Sequence, residues 1–401
     1  MKIKKILRQA VKGLMVQIYN IMAKVLPVRQ NVILFESSMG RNYTGNPRAI
    51  YEEMVNQGLD KKYRIIWFFE DTKTKIPGKA KIVKHARFLY LYYFAIARVW
   101  VFDCRQPEFL VKKKETIYIQ TWHGTPLKKL ALDMDKVNMG GETDIEKYRS
   151  DFKKNTGTWD YLISQNEFST KIFTSCFDFH KEFLQIGYPR NDVLFHGNKE
   201  ENIRAIKKRM GIPLDKKVLL YAPTWRDNQF YNSKNYKFAS QLDFDALREA
   251  LEKEYVLIVK YHYLVKDTLD WSKYEGFIYQ CNEKEEISSL YLVADALITD
   301  YSSVMFDYSL LNRPMFFFAY DLEAYRDELR GFYFDFINEV PGPISQTTEE
   351  LIRDIKEYDA TKWEEKWQLY HEKFNGVDDG SASRQVCHLI EGIVAGGDVT
   401  L

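Results

Sequence analysis

Two periods alternate along this chain. Short runs rich in β-branched and aromatic residues, such as "NVILFES" at 31–37 and "YRIIWFF" at 63–69, are separated by stretches whose apolar residues return every three or four positions. The first pattern predicts buried strands and the second amphipathic helices. Further strands are expected at 81–85, 98–103, 116–122, 159–166 and 183–189, then at 217–225, 255–263, 276–282, 295–303 and 314–320. Strands that are apolar throughout, with helices between them, belong in parallel sheets covered on both faces. The polar stretch "HGNKEENIRAIKKRMGIPLDKK" (196–217) divides the two series, which predicts an α/β chain of two Rossmann-like domains. From Glu349 onward the pattern is helical. The expected organisation is a basic amphipathic helix at 1–30, an N-terminal Rossmann-like domain at 31–195, a C-terminal one at 196–375, and at 376–401 a helix closing over the domains.

The first 35 residues change the picture, because they carry seven Lys or Arg and no Asp or Glu. Within them Ile3, Leu7, Ala10, Leu14, Ile18, Ile21 and Val25 form one apolar helical face. The longest uncharged run, Gly13 to Ala23, is shorter than the roughly 20 apolar residues that span a bilayer. No small-residue cleavage site follows, so a signal peptide fits poorly. Two readings stay open: residues 1–28 lie on an anionic cytoplasmic leaflet as a peripheral anchor, or the helix packs on the domain's own core with its lysines solvated. The aromatic run 88–102 is also too short to span; it reads as a helix followed by a buried strand.

Composition excludes more than it selects. The 401 residues are 45% hydrophobic and 28% charged, which is globular and ample for two cores. A net charge of +2 gives no footprint for nucleic acid. Four scattered cysteines argue against a disulfide framework or zinc site and for a reducing cytosol. The P-loop, dinucleotide and α/β-hydrolase glycine motifs are all missing. "DMD" at 133–135 follows a helical-looking stretch rather than a strand, so it reads as surface and not as a metal site.

In an open parallel sheet ligands bind beyond the carboxyl ends of the strands. His123 stands there, in "QTWHGTPLKKL" (120–130), beside a Gly124–Pro126 turn that can aim its ring into a cleft. An imidazole so placed can take a proton from a hydroxyl, although an isolated histidine is as often a structural residue. Lys128 and Lys129 add charge that attracts an anionic substrate or only coats a surface. After the strand at 217 comes "APTWRD" (222–227), where Thr224 and Arg226 can hydrogen-bond phosphate oxygens, or Arg226 can simply pair with Asp227. Lys260 and His262 share one side of "KYHYL" by period-2 alternation. In "DALITDYSSVMFDYSLLN" (295–312), Ser302 and Ser303 precede a helix, which makes either an anion site or an ordinary N-cap. Asp307 can reach a sugar or glycerol hydroxyl from one turn further on, or face solvent. "GYPRND" (187–192) and "RGFYFD" (330–335) bring Arg190 and Arg330 to turns that can line a cleft or serve structure alone.

Taken in order, His-Gly-Thr-Pro, "YAPTWRD", "KYHYL", "LITDYSSVMFDY" and "RGFYFD" resemble the CDP-glycerol glycerophosphotransferases of teichoic acid synthesis in Gram-positive bacteria, over about Val32 to Ile390. The resemblance implies a GT-B-like arrangement with an N-terminal acceptor side and a C-terminal nucleotide side. It implies transfer of glycerol phosphate from CDP-glycerol (CDP-ribitol in relatives) to an undecaprenyl-diphosphate-linked, already primed acceptor, with release of CMP. Carried over by position, His123 is the base and His262 steadies the departing CMP. Ser302 and Ser303 hold the diphosphate with Arg226 and Lys260, while Asp307 and Arg330 contact the glycerol or the diphosphate. Gly124, Thr125, Arg190 and Thr224 complete the expected substrate-binding set. No protein ligand cluster for a metal is seen, and Mg2+ assistance at the diphosphate stays open, as does oligomeric state. The competing readings are a ribitol or first-step (primase) enzyme, a capsule enzyme, a GT-B glycosyltransferase using a nucleotide sugar, and a catalytically idle membrane-binding protein.

Overall fold

The computed structural model describes residues 2–137, 143–224, 230–232, 235–236, 240–261, 270–281, 285–322 and 331–396. Fifteen strands are described: β1 (Arg29–Glu36), β2 (Arg64–Phe69), β3 (Lys81–Lys84), β4 (Ala97–Phe102), β5 (Ile117–Gln120), β6 (Tyr161–Ser164), β7 (Glu182–Gln185), β8 (Lys217–Tyr221), β9 (Phe230–Asn232), β10 (Asn235–Tyr236), β11 (Tyr255–Val259), β12 (Ile278–Gln280), β13 (Ala296–Thr299), β14 (Met315–Phe318) and β15 (Ile344–Ser345). The first seven form one parallel sheet in the order β3-β2-β1-β4-β5-β6-β7, and a second parallel sheet runs β12-β11-β8-β13-β14-β15. In each sheet the order reverses once, between β1 and β4 and between β8 and β13. Those switch points open a crevice at the strands' carboxyl ends. Two parallel-sheet α/β layers facing one another are the GT-B-like architecture expected.

Each predicted strand has its counterpart. The β9–β10 hairpin and β15 were not expected, since pieces of two or three residues carry no readable period. Most predicted strands run past their real ends, and at two of them the reason is visible. β8 stops at Tyr221 as the chain approaches Pro223, which has no N–H for a ladder. β5 stops at Gln120 because Trp122 turns to a left-handed φ of 50°.

The helix Lys2–Val25 divides its described side chains between two environments. Tyr19 is fully buried and donates to the Val111 carbonyl at 2.8 Å, while Met15, Met22 and Ala23 pack on the first domain's core. Leu14, Ile21 and Val25 point outward, 62%, 62% and 70% exposed. Among the described residues no helix is long and apolar enough to cross a membrane. At the other end, Ala382–Ala395 returns to the first domain. Val386, Leu389, Ile390 and Ile393 pack beneath Ile33, Val99 and Val101, whereas Glu364–Phe374 belongs to the second core through Tyr370 and Phe374.

Candidate active site

The chain leaves β5 through Thr121 and makes its left-handed turn at Trp122, a conformation that a bulky residue holds only when its surroundings impose it. They do so through three successive carbonyls. Asn46 Nδ2, at the start of the helix Gly45–Asn56, donates to the Thr121 and Trp122 carbonyls at 3.0 and 3.1 Å, and Arg190 Nη1 donates to the His123 carbonyl at 2.6 Å. The clamped turn throws the His123 ring into the crevice, stacked on Trp122 with centroids 4.3 Å apart.

His123 Nδ1 lies 2.9 Å from the Asp103 carbonyl, at the end of β4. A carbonyl only accepts, so Nδ1 carries the proton and Nε2 keeps its lone pair. Partial loss of water at the crevice wall lowers the His123 pKa below its usual value, while the residue stays open to the crevice. The Asp103 carboxylate opposes that shift, and the Arg190 charge adds to it. Asp103 itself is buried, which raises its pKa, and it accepts from the Ser38 N–H at 2.9 Å. Behind it Glu36 is wholly enclosed; burial pushes its pKa up to about 8, opposed by a hydrogen bond from Gln106.

The second domain meets this turn at Ser303. A Cβ on Gly124 would stand 3.2 Å from Ser303 Oγ, a tight contact that the serine hydroxyl would have to yield to by a few tenths of an ångström. Of the two readings of the serines, an ordinary N-cap does not hold at Ser303: its backbone is helical (φ −63°, ψ −8°) and its hydroxyl makes no cap bond, since capping geometry needs an extended residue there. Together Trp122, His123, Gly124, Lys128, Thr224, Ser302 and Ser303 line a crevice of about 330 Å³.

The other expected positions fare unequally. Thr125 also lines the crevice, but it is buried and its hydroxyl is bound to Gln165, within the first domain. Thr224 lies on the crevice wall, its N–H bound to Asp300 Oδ1 at 2.7 Å. Lys260 follows β11, with Nζ 3.3 Å from the Glu285 carbonyl, and does not line the crevice. Arg190 and Asp307 engage one another: Nη2 to Oδ2 is 2.6 Å, and Asn191 Nδ2 reaches Asp307 Oδ1 at 2.9 Å. Arg226, His262 and Arg330 lie outside the described residues. Lys129 pairs with Asp135 at 3.1 Å, and Asp133 accepts from Tyr333, so "DMD" is committed to structure.

Sequence reasoning missed Asn46, Asp103 and Asn191. The one legible signal was "TGNPR" (44–48), a polar side chain at a helix start directly after a strand and loop.

The family model described as CDP-Glycerol:Poly(glycerophosphate) glycerophosphotransferase matches residues 18–392. The chain is 45% identical over 397 residues to the teichoic acid poly(glycerol phosphate) polymerase of Bacillus subtilis (strain 168), covering 97% of this chain but only 52% of that protein. It is 42% identical to the teichoic acid glycerol-phosphate transferase of Staphylococcus aureus (strain NCTC 8325 / PS 47), covering 90% of this chain and 93% of that one. Among solved structures it resembles a histidine-substituted wall teichoic acid polymerase TagF soaked with CDPG, at TM-score 0.90 and 40% identity over 98% of both chains.

Proposed function

The chain belongs to the CDP-glycerol:poly(glycerophosphate) glycerophosphotransferase family, and from that premise we propose that it transfers glycerol phosphate from CDP-glycerol to the terminal hydroxyl of a primed, lipid-linked teichoic acid precursor, releasing CMP. The observation that carries the reading is the meeting of His123 and the Ser302–Ser303 turn in one crevice, where Gly124 and Ser303 lie close together. His123 Nε2, free because Nδ1 is committed to Asp103, takes the acceptor's proton as its oxygen attacks the phosphorus bonded to glycerol. The P–O bond to CMP then breaks, and the Ser302 and Ser303 hydroxyls donate to the diphosphate. Lys128 and Thr224, on the same walls, supply further donors.

The described residues hold no ready-made cage for Mg2+, an ion that is usually carried by one or two carboxylates together with the substrate's own phosphates. No three His, Cys, Asp or Glu side chains gather there, and Asp300, just before the serine turn, accepts from Thr224. No step is routed through an ion.

The same reading puts the enzyme at the cytoplasmic membrane face, where such an acceptor is displayed. Support comes from Leu14, Ile21 and Val25 on the N-terminal helix, from Phe88 and Leu89 at the first turn of the helix beneath it, and from Val111 in the loop that Tyr19 grips. All six are exposed apolar side chains on elements that touch one another. Lys24, Arg87 and Lys114 are interspersed with them and suit an anionic leaflet.

The test is incubation of the purified chain with CDP-glycerol, CDP-ribitol or a nucleotide sugar and a primed lipid analogue, reading released nucleotide and product mass together. CMP with a product heavier by one or more glycerol phosphates is expected. CMP from CDP-ribitol alone, or UDP or GDP from a nucleotide sugar, would replace the donor assigned here.

A further inference from the structure

Arg190 and Asp307 meet across the junction between the two domains. Arg190 follows β7 in the first, on the short turn Pro189–Asn191, and Asp307 lies in the second, on the helix Val304–Tyr308 that begins directly after Ser303. Their side chains are only 17% and 4% exposed. The guanidinium uses two separate nitrogens. Nη1 donates to the His123 carbonyl at 2.6 Å, and Nη2 donates to Asp307 Oδ2 at 2.6 Å. The other carboxylate oxygen accepts from Asn191 Nδ2 at 2.9 Å, so both oxygens already have donors. The Arg190 N–H donates to Asn46 Oδ1 at 3.1 Å, and Asn46 is the side chain that grips the Thr121 and Trp122 carbonyls.

These contacts form one unbroken path from the His123 backbone, through a planar fork of fixed dimensions, to the short helix that follows the serines. A guanidinium cannot bend, so the path holds a length.

We propose that Arg190 and Asp307 are positioning residues whose ion pair sets the separation between the His123 imidazole and the Ser302–Ser303 turn, and thereby between acceptor hydroxyl and donor diphosphate. The inference rests on the transfer reaction assigned above. It departs from the expectation that these two residues bind substrate, because Nη1 and Nη2 of Arg190 and both Asp307 oxygens are engaged within the protein, and only Arg190 Nε is left, buried, without a partner. Transfer in line needs the reacting atoms held within a fraction of an ångström, and a misplacement of about 1 Å costs on the order of 100-fold in rate. A lysine at 190 keeps the charge but cannot reach the His123 carbonyl and Asp307 with the same fork.

The experiment measures CMP release by the full chain with CDP-glycerol and a primed lipid analogue, for wild type, Asp307→Asn, Arg190→Lys, Arg190→Gln and the Asp307→Asn/Arg190→Gln double variant. Each single change is expected to lower kcat about 10- to 100-fold while KM for CDP-glycerol stays within about twofold. The double variant should fall no further than the worse single one, because both remove the same tie. In Arg190→Gln the acid limb of kcat/KM should also move to higher pH, since the charge that disfavours protonated His123 is gone. Thermal unfolding accompanies each variant. Asp307→Asn, which keeps size and shape, carries the reading if Arg190→Gln folds poorly. A KM raised about tenfold with kcat retained would make the pair substrate ligands and overturn the inference. Losses that multiply in the double variant, or singles that match wild type, overturn it as well while leaving the transfer reaction standing. A wild-type chain that releases no CMP overturns both.

Discussion

The proton that His123 is to accept must arrive at Nε2, because Nδ1 is committed to a carbonyl that can only accept. His123→Ala should therefore cut kcat by about 10²- to 10⁴-fold with the thermal midpoint nearly unmoved, read by CMP release and by unfolding. Partial loss of water around the ring lowers its pKa, so the neutral base persists to more acidic pH than a free imidazole would. The acid limb of kcat/KM is expected below the ordinary value of about 6.5; a limb well above 7 would assign it to another group. Glu36 gives a stability prediction of definite sign. Burial raises its pKa to about 8, so the folded protein resists ionising it while the unfolded chain does not. Its contribution is intact below about pH 4.5 and is lost progressively as pH rises toward 8. Glu36→Gln should thus unfold a few degrees higher than wild type at pH 8 and show no such gain at pH 4, in melts followed by circular dichroism.

At the scale of elements, a short antiparallel ladder stitches the histidine loop to the second domain. Lys129 N–H donates to the Gly331 carbonyl and Tyr333 N–H to the Leu127 carbonyl, both at 2.9 Å, with Lys128 opposite Phe332. Tyr333 locks it, its hydroxyl donating to Asp133 at 2.7 Å and accepting from Leu130 N–H at 3.0 Å. Tyr333→Phe removes both bonds and should cost about 1–3 kcal/mol of stability in denaturant titrations, with a loss of activity that the fold alone does not explain. This ladder also marks the limit of what the chain's pattern discloses. The strands were readable because each is a continuous apolar run, and His123 and the serines because they stand where strands stop. The Asn46 and Arg190 clamp was not readable, since it joins residues 67 to 144 positions apart through backbone groups that no side-chain pattern reports. Nor could spacing reveal that Thr125 faces Gln165, or that the Ser303 backbone turns helical one residue early.

For the molecule as a whole, the N-terminal helix is both a packed element and an exposed one, so the two readings of its sequence are each partly true. Deleting residues 1–28 would remove Tyr19 from the core along with the outward face. A cleaner test is Leu14→Ser/Ile21→Ser/Val25→Ser, which touches only exposed positions. It should weaken sedimentation with anionic vesicles severalfold and leave turnover on a water-soluble acceptor near wild type; undiminished sedimentation would move the membrane contact elsewhere. The helix Ala382–Ala395, lying beneath the first sheet, has a consequence for how the molecule is made. It emerges from the ribosome roughly 200 residues after β7, which at about 5–20 residues per second is a delay of ~10–40 s. Through that interval the underside of the first sheet, with Ile33, Val99, Val101 and Ile119, is covered by Ile50, Tyr51 and Met54 of the helix Gly45–Asn56 but lacks Val386, Leu389, Ile390 and Ile393. The N-terminal sheet is thus completed only after the second domain has been made, and the nascent chain must be kept from aggregating until the helix Ala382–Ala395 arrives.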